Sequence, residues 1–161
     1  ITALGAGVTG GQLARIDGGS GIDTFTLSGA SIALDLTTIA NQGGSTSRIE
    51  SIERIDLTGS GNNTLTLGLS DVLDMAGMNS FNNANGWADG TYNLATGGAS
   101  GANPEQRHQL VIDSNAGDVV NSSGWGVSVG TVTNNAIIYD IYNQGLYAQL
   151  LITQGMTATV I

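Results

Sequence analysis

Eight short segments limit what this chain can fold into. "TFTLS" (24–28), "SIALDL" (31–36), "NTLTLG" (63–68), "HQLVID" (108–113), "GVSVGTV" (126–132), "IIYDIY" (137–142), "YAQLLI" (147–152) and "TATVI" (157–161) all fit strands. Clusters of Gly, Asn, Asp and Ser separate them and read as turns. The pattern predicts an all-β fold, a β-sandwich or a roll. An apolar content of 40% argues against disorder in spite of 25 glycines. At 161 residues the chain has the length of one domain, 1–161, and buries about two-thirds of its unfolded surface without a staple.

Two stretches depart from this pattern. "LSDVLDMAGM" reads as one short helix, with Ser70 as N-cap, Asp71 in the first turn and Gly77 at the end. "SRIESIERI" spaces Ile49, Ile52 and Ile55 three apart, which suits a helical turn leading into a strand. Residues 79–106 carry many small and polar side chains without a period. They read as a long irregular loop, the place for an insertion or an elaboration.

Charge narrows the partners. Thirteen acidic residues face four basic ones, all arginine, for a net charge of −9. Phosphate backbones and anionic membrane surfaces are repelled by such a chain, so neither nucleic acid nor membrane insertion is expected. Divalent cations are favoured, because carboxylate oxygens neutralise them; plain solubility is the alternative use of an acidic surface. With no cysteine there is neither a disulfide framework nor a thiol site. No apolar run approaches ~18 residues, so no membrane-spanning helix is expected. No basic segment followed by an apolar core marks a signal peptide, and Ile1 as first residue suggests a piece of a longer chain.

The strongest motif is "GGSGIDTFT", Gly18 to Thr26, which fits G-G-x-G-x-D-x-U-x, a calcium-binding turn. Calcium takes six to eight oxygens from carboxylates, carbonyls and water. Here Asp17 and Asp23 offer carboxylates, and glycine lets the carbonyls near Gly19 and Gly21 turn inward. In a row of such turns the ion lies between two neighbours, so one copy supplies half a site. The chain echoes itself. Arg15-Ile16-Asp17 precedes "GGSGIDTFTL", and Arg54-Ile55-Asp56 precedes "LTGSGNNTLTL". Aligned on G-S-G, Asp23 falls on Asn63 and Phe25 on Leu65. A weaker echo runs from Ile112-Asp113 to Asp118. Asp56 and Asn63 are therefore the expected second half of the site, with Glu50 and Glu53 as acidic alternatives and Asp113 and Asp118 as further candidates. The bland reading is a glycine hairpin with solvated aspartates.

Other motifs offer less. "GAGVTG" (Gly5 to Gly10) fits a dinucleotide pattern, but no helix of useful length follows and βαβ alternation is absent. His108 is the sole histidine, and a hydrogen-bonded structural role is the simpler reading, so no catalysis is expected. Trp87 and Tyr92 in "GWADGTY" suit either a sugar platform or pins holding the long loop. Trp125 reads as core.

"RIDGGSGIDTFTLSG", "IESIERIDLTGSGNNTLTLGLSDVLDM", "RHQLVIDSNAGDVVNSSGW" and "YDIYNQGLYAQLLI" follow one another in that order over nearly the whole chain. Together they resemble a module near the C-terminal region of giant bacterial RTX adhesins. The resemblance implies a non-enzymatic, calcium-stabilised β-sandwich, the split domain of that family, exported by type I secretion to the bacterial cell surface. It implies a scaffold that positions neighbouring ligand-binding domains for adhesion and biofilm formation, with Ca2+ at Asp17, Asp23, Asp56 and Asp113–Asp118. In the family a ligand-binding domain is inserted in the split domain, and residues 79–106 are the matching position. The alternative reading is a glycan- or peptide-binding module that uses this loop.

Overall fold

The computed structural model describes residues 15–39, 48–59, 61–82, 85–87, 91, 94 and 107–161. The fold is all-β with one short helix. Its strands are β1 (Ile16–Asp17), β2 (Thr24–Thr26), β3 (Ala33–Asp35), β4 (Ile49–Glu50), β5 (Arg54–Asp56), β6 (Thr64–Gly68), β7 (His108–Asp113), β8 (Val119–Ser123), β9 (Gly130–Asn134), β10 (Ile137–Gln144), β11 (Ala148–Thr153) and β12 (Thr157–Val160). Helix α1 spans Leu69–Met75.

The strands lie in a six-stranded sheet, β2-β5-β7-β11-β10-β9, a four-stranded sheet, β12-β8-β6-β3, and a two-stranded pair, β1-β4. Neighbours β2, β5, β7 and β11 run parallel, as do β3, β6, β8 and β12. A parallel pair needs a crossover. Here the crossover from each strand to the next in its own sheet passes through a strand of the other sheet, so the chain coils. Among the described strands, the β9–β10 hairpin alone adds antiparallel strands, against β11. Hairpin-built sandwiches are antiparallel, and this wiring is not.

Register departs from the G-S-G echo. Phe25 stands beside Ile55, and Leu34 beside Leu65. Ser28–Ser31, which follows β2, thus takes the place in its coil that the residues after β5 take in theirs, at the corner between the two sheets. The Gly18–Ile22 turn stands at a different corner, before β2. The echo paired two corners of like composition but unlike place. The second and third echoes do stack, with Ile55 beside Ile112 and Asp56 beside Asp113.

Helix α1 begins one residue after Gly68, not after Ser70, and the Asp71 carboxylate accepts the Gly68 N–H at 2.7 Å. Burial raises the Asp71 pKa, against the lowering effect of that hydrogen bond. "SRIESIERI" forms β4 and β5 rather than a helical turn. Ile49, Ile52 and Ile55 are nevertheless all buried in the core.

One core joins the two large sheets: Leu34, Leu65 and Val120 from the four-stranded sheet meet Ile55, Leu110, Ile112, Leu150 and Ile152 from the six-stranded one. A second cluster covers the other face of the six-stranded sheet, with Val111, Leu151, Tyr139 and Ile141 under Phe81, Trp87 and Leu94. The centre of that sheet is buried on both faces, which is why β7 and β11 read as near-continuous apolar runs. Their two glutamines are paired: the Gln109 amide donates to Gln149 Oε1 at 2.8 Å and to the Phe81 carbonyl at 3.0 Å.

Candidate functional site

The Gly18–Ile22 turn grows out of the β1–β4 pair, where Asp17 stands beside Glu50. Arg15 bonds both carboxylates. Asp17 Oδ1 accepts the Gly19 N–H at 3.1 Å and opens the turn. Gly19 and Gly21 have φ of +88° and +122°, where a side chain is strained. Gly18 is required for a different reason. A Cβ there would stand 2.0 Å from the Ser51 carbonyl oxygen and 2.8 Å from the Asp23 carboxyl carbon. The turn therefore closes over a small cradle between a carbonyl and a carboxylate. Asp23 Oδ2 is buried there and has no hydrogen-bond partner.

Glu53 backs this cradle. Its residue is 3% exposed. Oε2 accepts the Asp23 N–H at 3.0 Å, and Oε1 accepts the Gly77 N–H at 3.0 Å. The Asp23 carbonyl in turn accepts the N–H groups of Glu53 and Arg54. Beside the cradle runs an open cleft of about 460 Å3, lined by Gly19, Gly21, Glu50, Glu53, Asp74 and His108 among others. His108 Nδ1 lies 2.7 Å from the Ala76 carbonyl and donates to it, the hydrogen-bonded role read from sequence.

An all-oxygen donor set with an orphaned carboxylate oxygen suits a hard cation such as calcium. Of the expected ligands, Asp17, Gly19, Gly21, Asp23 and Glu53 meet at this one corner. Among the described residues, no group of three or more His, Asp or Glu is placed to hold a metal by itself. An ion here would take Asp23 and the Ser51 carbonyl, with further carbonyls and water.

The second expected set lies elsewhere and is already engaged. Asp56 sits at the far end of β5 from Asp23, and its Oδ1 accepts the Thr58 N–H and hydroxyl. Asn63 is fully buried; its Oδ1 accepts the Ile32 N–H at 2.9 Å and its amide donates to the Leu57 carbonyl. Asp118, 0% exposed, accepts the Asn63 N–H with Oδ1 and the Asn115 N–H with Oδ2. Asn63 and Asp118 thus stack one coil above the other, each side chain satisfying the backbone of a neighbouring coil. Asp113 pairs with Arg54 at 3.0 Å and accepts the Tyr139 hydroxyl at 2.6 Å. Burial and that bond push the Tyr139 pKa above the ordinary tyrosine range. These four residues do not complete the Gly18–Asp23 turn, contrary to the expectation from the echo, because the coil sets them at other corners and gives their oxygens internal donors.

Trp87 is 2% exposed and packs between Phe81 and Tyr139, with ring centres 5.0 and 4.9 Å away and the Arg54 guanidinium 5.8 Å from its ring. A ring so covered has no face for a sugar, so Trp87 pins its loop to the sheet. Tyr92 and Gly5 to Gly10 lie outside the described residues. Trp125 is buried in the main core. Sequence reading did not find the roles of Gly18, Ser51 and Gly77. Only the first had a signal, as the opening glycine of the motif. Compared with family models, with curated proteins and with solved structures, the chain matches none.

Proposed function

We propose that this chain is a non-enzymatic, calcium-binding scaffold domain of a secreted adhesin on a bacterial surface. Its role is to hold and orient neighbouring ligand-binding modules in adhesion and biofilm formation. The observation that carries the reading is the cradle at Gly18, where Asp23 has a buried oxygen without a hydrogen-bond partner and the Ser51 carbonyl lies close by. The RTX-type motif and the charge of −9 support it. The finer fold reading, a calcium-stabilised β-sandwich, belongs to this proposal; two sheets that share one core support its layered part.

The mechanism is linkage. A bound ion supplies positive charge to the acidic corner and stabilises the fold by RT ln(1 + [Ca]/Kd), about 2.7 kcal/mol at a hundredfold excess over Kd. In a low-calcium cytosol the carboxylates of Asp17, Asp23, Glu50 and Glu53 repel and leave the corner pliable for export. In extracellular calcium the same residues draw together and the corner stiffens. The partners are then adjoining domains of the same adhesin and, through them, a surface glycan or peptide. Calorimetric titration with calcium tests the reading. Saturable binding to the wild type, lost in Asp23→Asn, is expected; no binding by a folded wild type contradicts it.

A further inference from the structure

The turn and the cleft wall opposite it share one buried group. The Glu53 carboxylate is fixed at one oxygen by Asp23, inside the turn, and at the other by Gly77, just past the end of α1. The wall around Gly77 is itself clipped to the start of β7. Ala76 O takes the His108 ring N–H, Gly77 O takes the Gln109 N–H at 3.0 Å, and Arg107 O takes the Asn79 N–H at 2.9 Å. Glycine at 77 permits this approach, because a Cβ there would stand 2.7 Å from Glu53 Oε1. On the turn side, Asp23 Oδ2 has no donor to hold its charge. Glu53 thus ties the backbone of Asp23, whose own carboxylate awaits a donor or a cation, to the backbone of Gly77.

We infer that Glu53 is a strut that transmits cation occupancy of the Gly18–Asp23 turn to the Ala76–Met78 wall of the cleft. This rests on the calcium reading above. A cation on the Asp23 carboxylate fixes the turn whose Asp23 N–H Glu53 accepts, and Glu53 carries that restraint to the Gly77 N–H. The entry to residues 79–106 is thereby firmer with the ion than without it. Calcium becomes a regulator of the Ala76–Met78 wall, and not only a staple for its own turn.

The test combines calcium calorimetry with amide hydrogen exchange on the intact chain, in calcium and in chelator. Exchange over 76–82 and at Gln109 should slow by about fivefold or more with calcium, the low end of usual coupling strengths. Leu150 to Ile152 serve as the internal reference and should not respond. In Gly77→Ala the added methyl displaces Glu53 Oε1 without touching the turn. That variant should still bind calcium, yet lose the calcium response over 76–82. Asp23→Asn should lose both. Calcium binding with unchanged exchange over 76–82 overturns the strut and leaves the calcium reading standing. A Gly77→Ala chain that keeps the full response also overturns it. No calcium binding by the wild type overturns both readings.

Discussion

At the corner before β2, the Asp23 carboxylate keeps a buried oxygen with no partner; at the corner before β8, the Asp118 carboxylate has both oxygens taken by backbone N–H groups. Both aspartates follow a glycine-containing turn, and both stand directly before a strand. What differs is the supply of donors. Asn63 and Asn115 present their N–H groups to Asp118, so the buried charge is satisfied within the protein. At the Asp23 corner the Gly18 turn closes on the Ser51 carbonyl, and the Glu53 carboxylate takes the Asp23 backbone N–H, so neither supplies a donor to the Asp23 oxygen. A carboxylate among acceptors needs a cation, while a carboxylate among donors does not. Residue type and spacing are alike at the two corners, and the backbone's donors decide which one is a candidate ion site.

Substitutions should separate the corners. The largest effect is expected at Asp118→Ala, which leaves the buried Asn63 N–H and the partly buried Asn115 N–H without acceptors and costs about 3 kcal/mol in urea unfolding, with or without calcium. Asp118→Asn keeps one acceptor oxygen and should lose about half of that. Next comes Asp113→Asn, which weakens the pair with Arg54 and costs about 2 kcal/mol by the same measurement. Asp56→Ala removes only exposed bonds within its own turn and should cost about 0.5 kcal/mol. The smallest effect is Asp23→Asn in chelator, a change within about 0.5 kcal/mol of zero, since that oxygen holds nothing in the protein itself. A large calcium-independent loss at Asp23 would erase the contrast.

The strand pattern was legible where a segment is buried on one or both faces. β2, β3, β6, β7 and β12 lie within the expected segments, β10 and β11 overrun theirs by one or two residues, and β9 overlaps only the end of 126–132. β8, "VVNSS", was not, because only Val120 of its apolar residues enters the core and the rest is polar. β4 and β5 were obscured by isoleucines three apart, a spacing that suits a helix as well as two strands split by a bend. Register was out of reach. A G-S-G turn carries composition but not place, and only the coil shows that Leu65 stands beside Leu34 rather than Phe25. At the site, the motif gave Asp17 and Asp23 because both belong to one contiguous turn, which Asp17 opens by accepting the Gly19 N–H. Gly77 is 24 residues from Glu53 in sequence and reaches it only after α1 folds back.

Thermal unfolding of the wild type, Asp23→Asn and Asp118→Asn, each in calcium and in chelator, tests the central claim most directly. The account predicts that calcium raises the midpoint of the wild type and of Asp118→Asn by about 5–10 °C and leaves Asp23→Asn unmoved. Equal midpoints in calcium and chelator for the wild type, or a full calcium shift in Asp23→Asn, would contradict it.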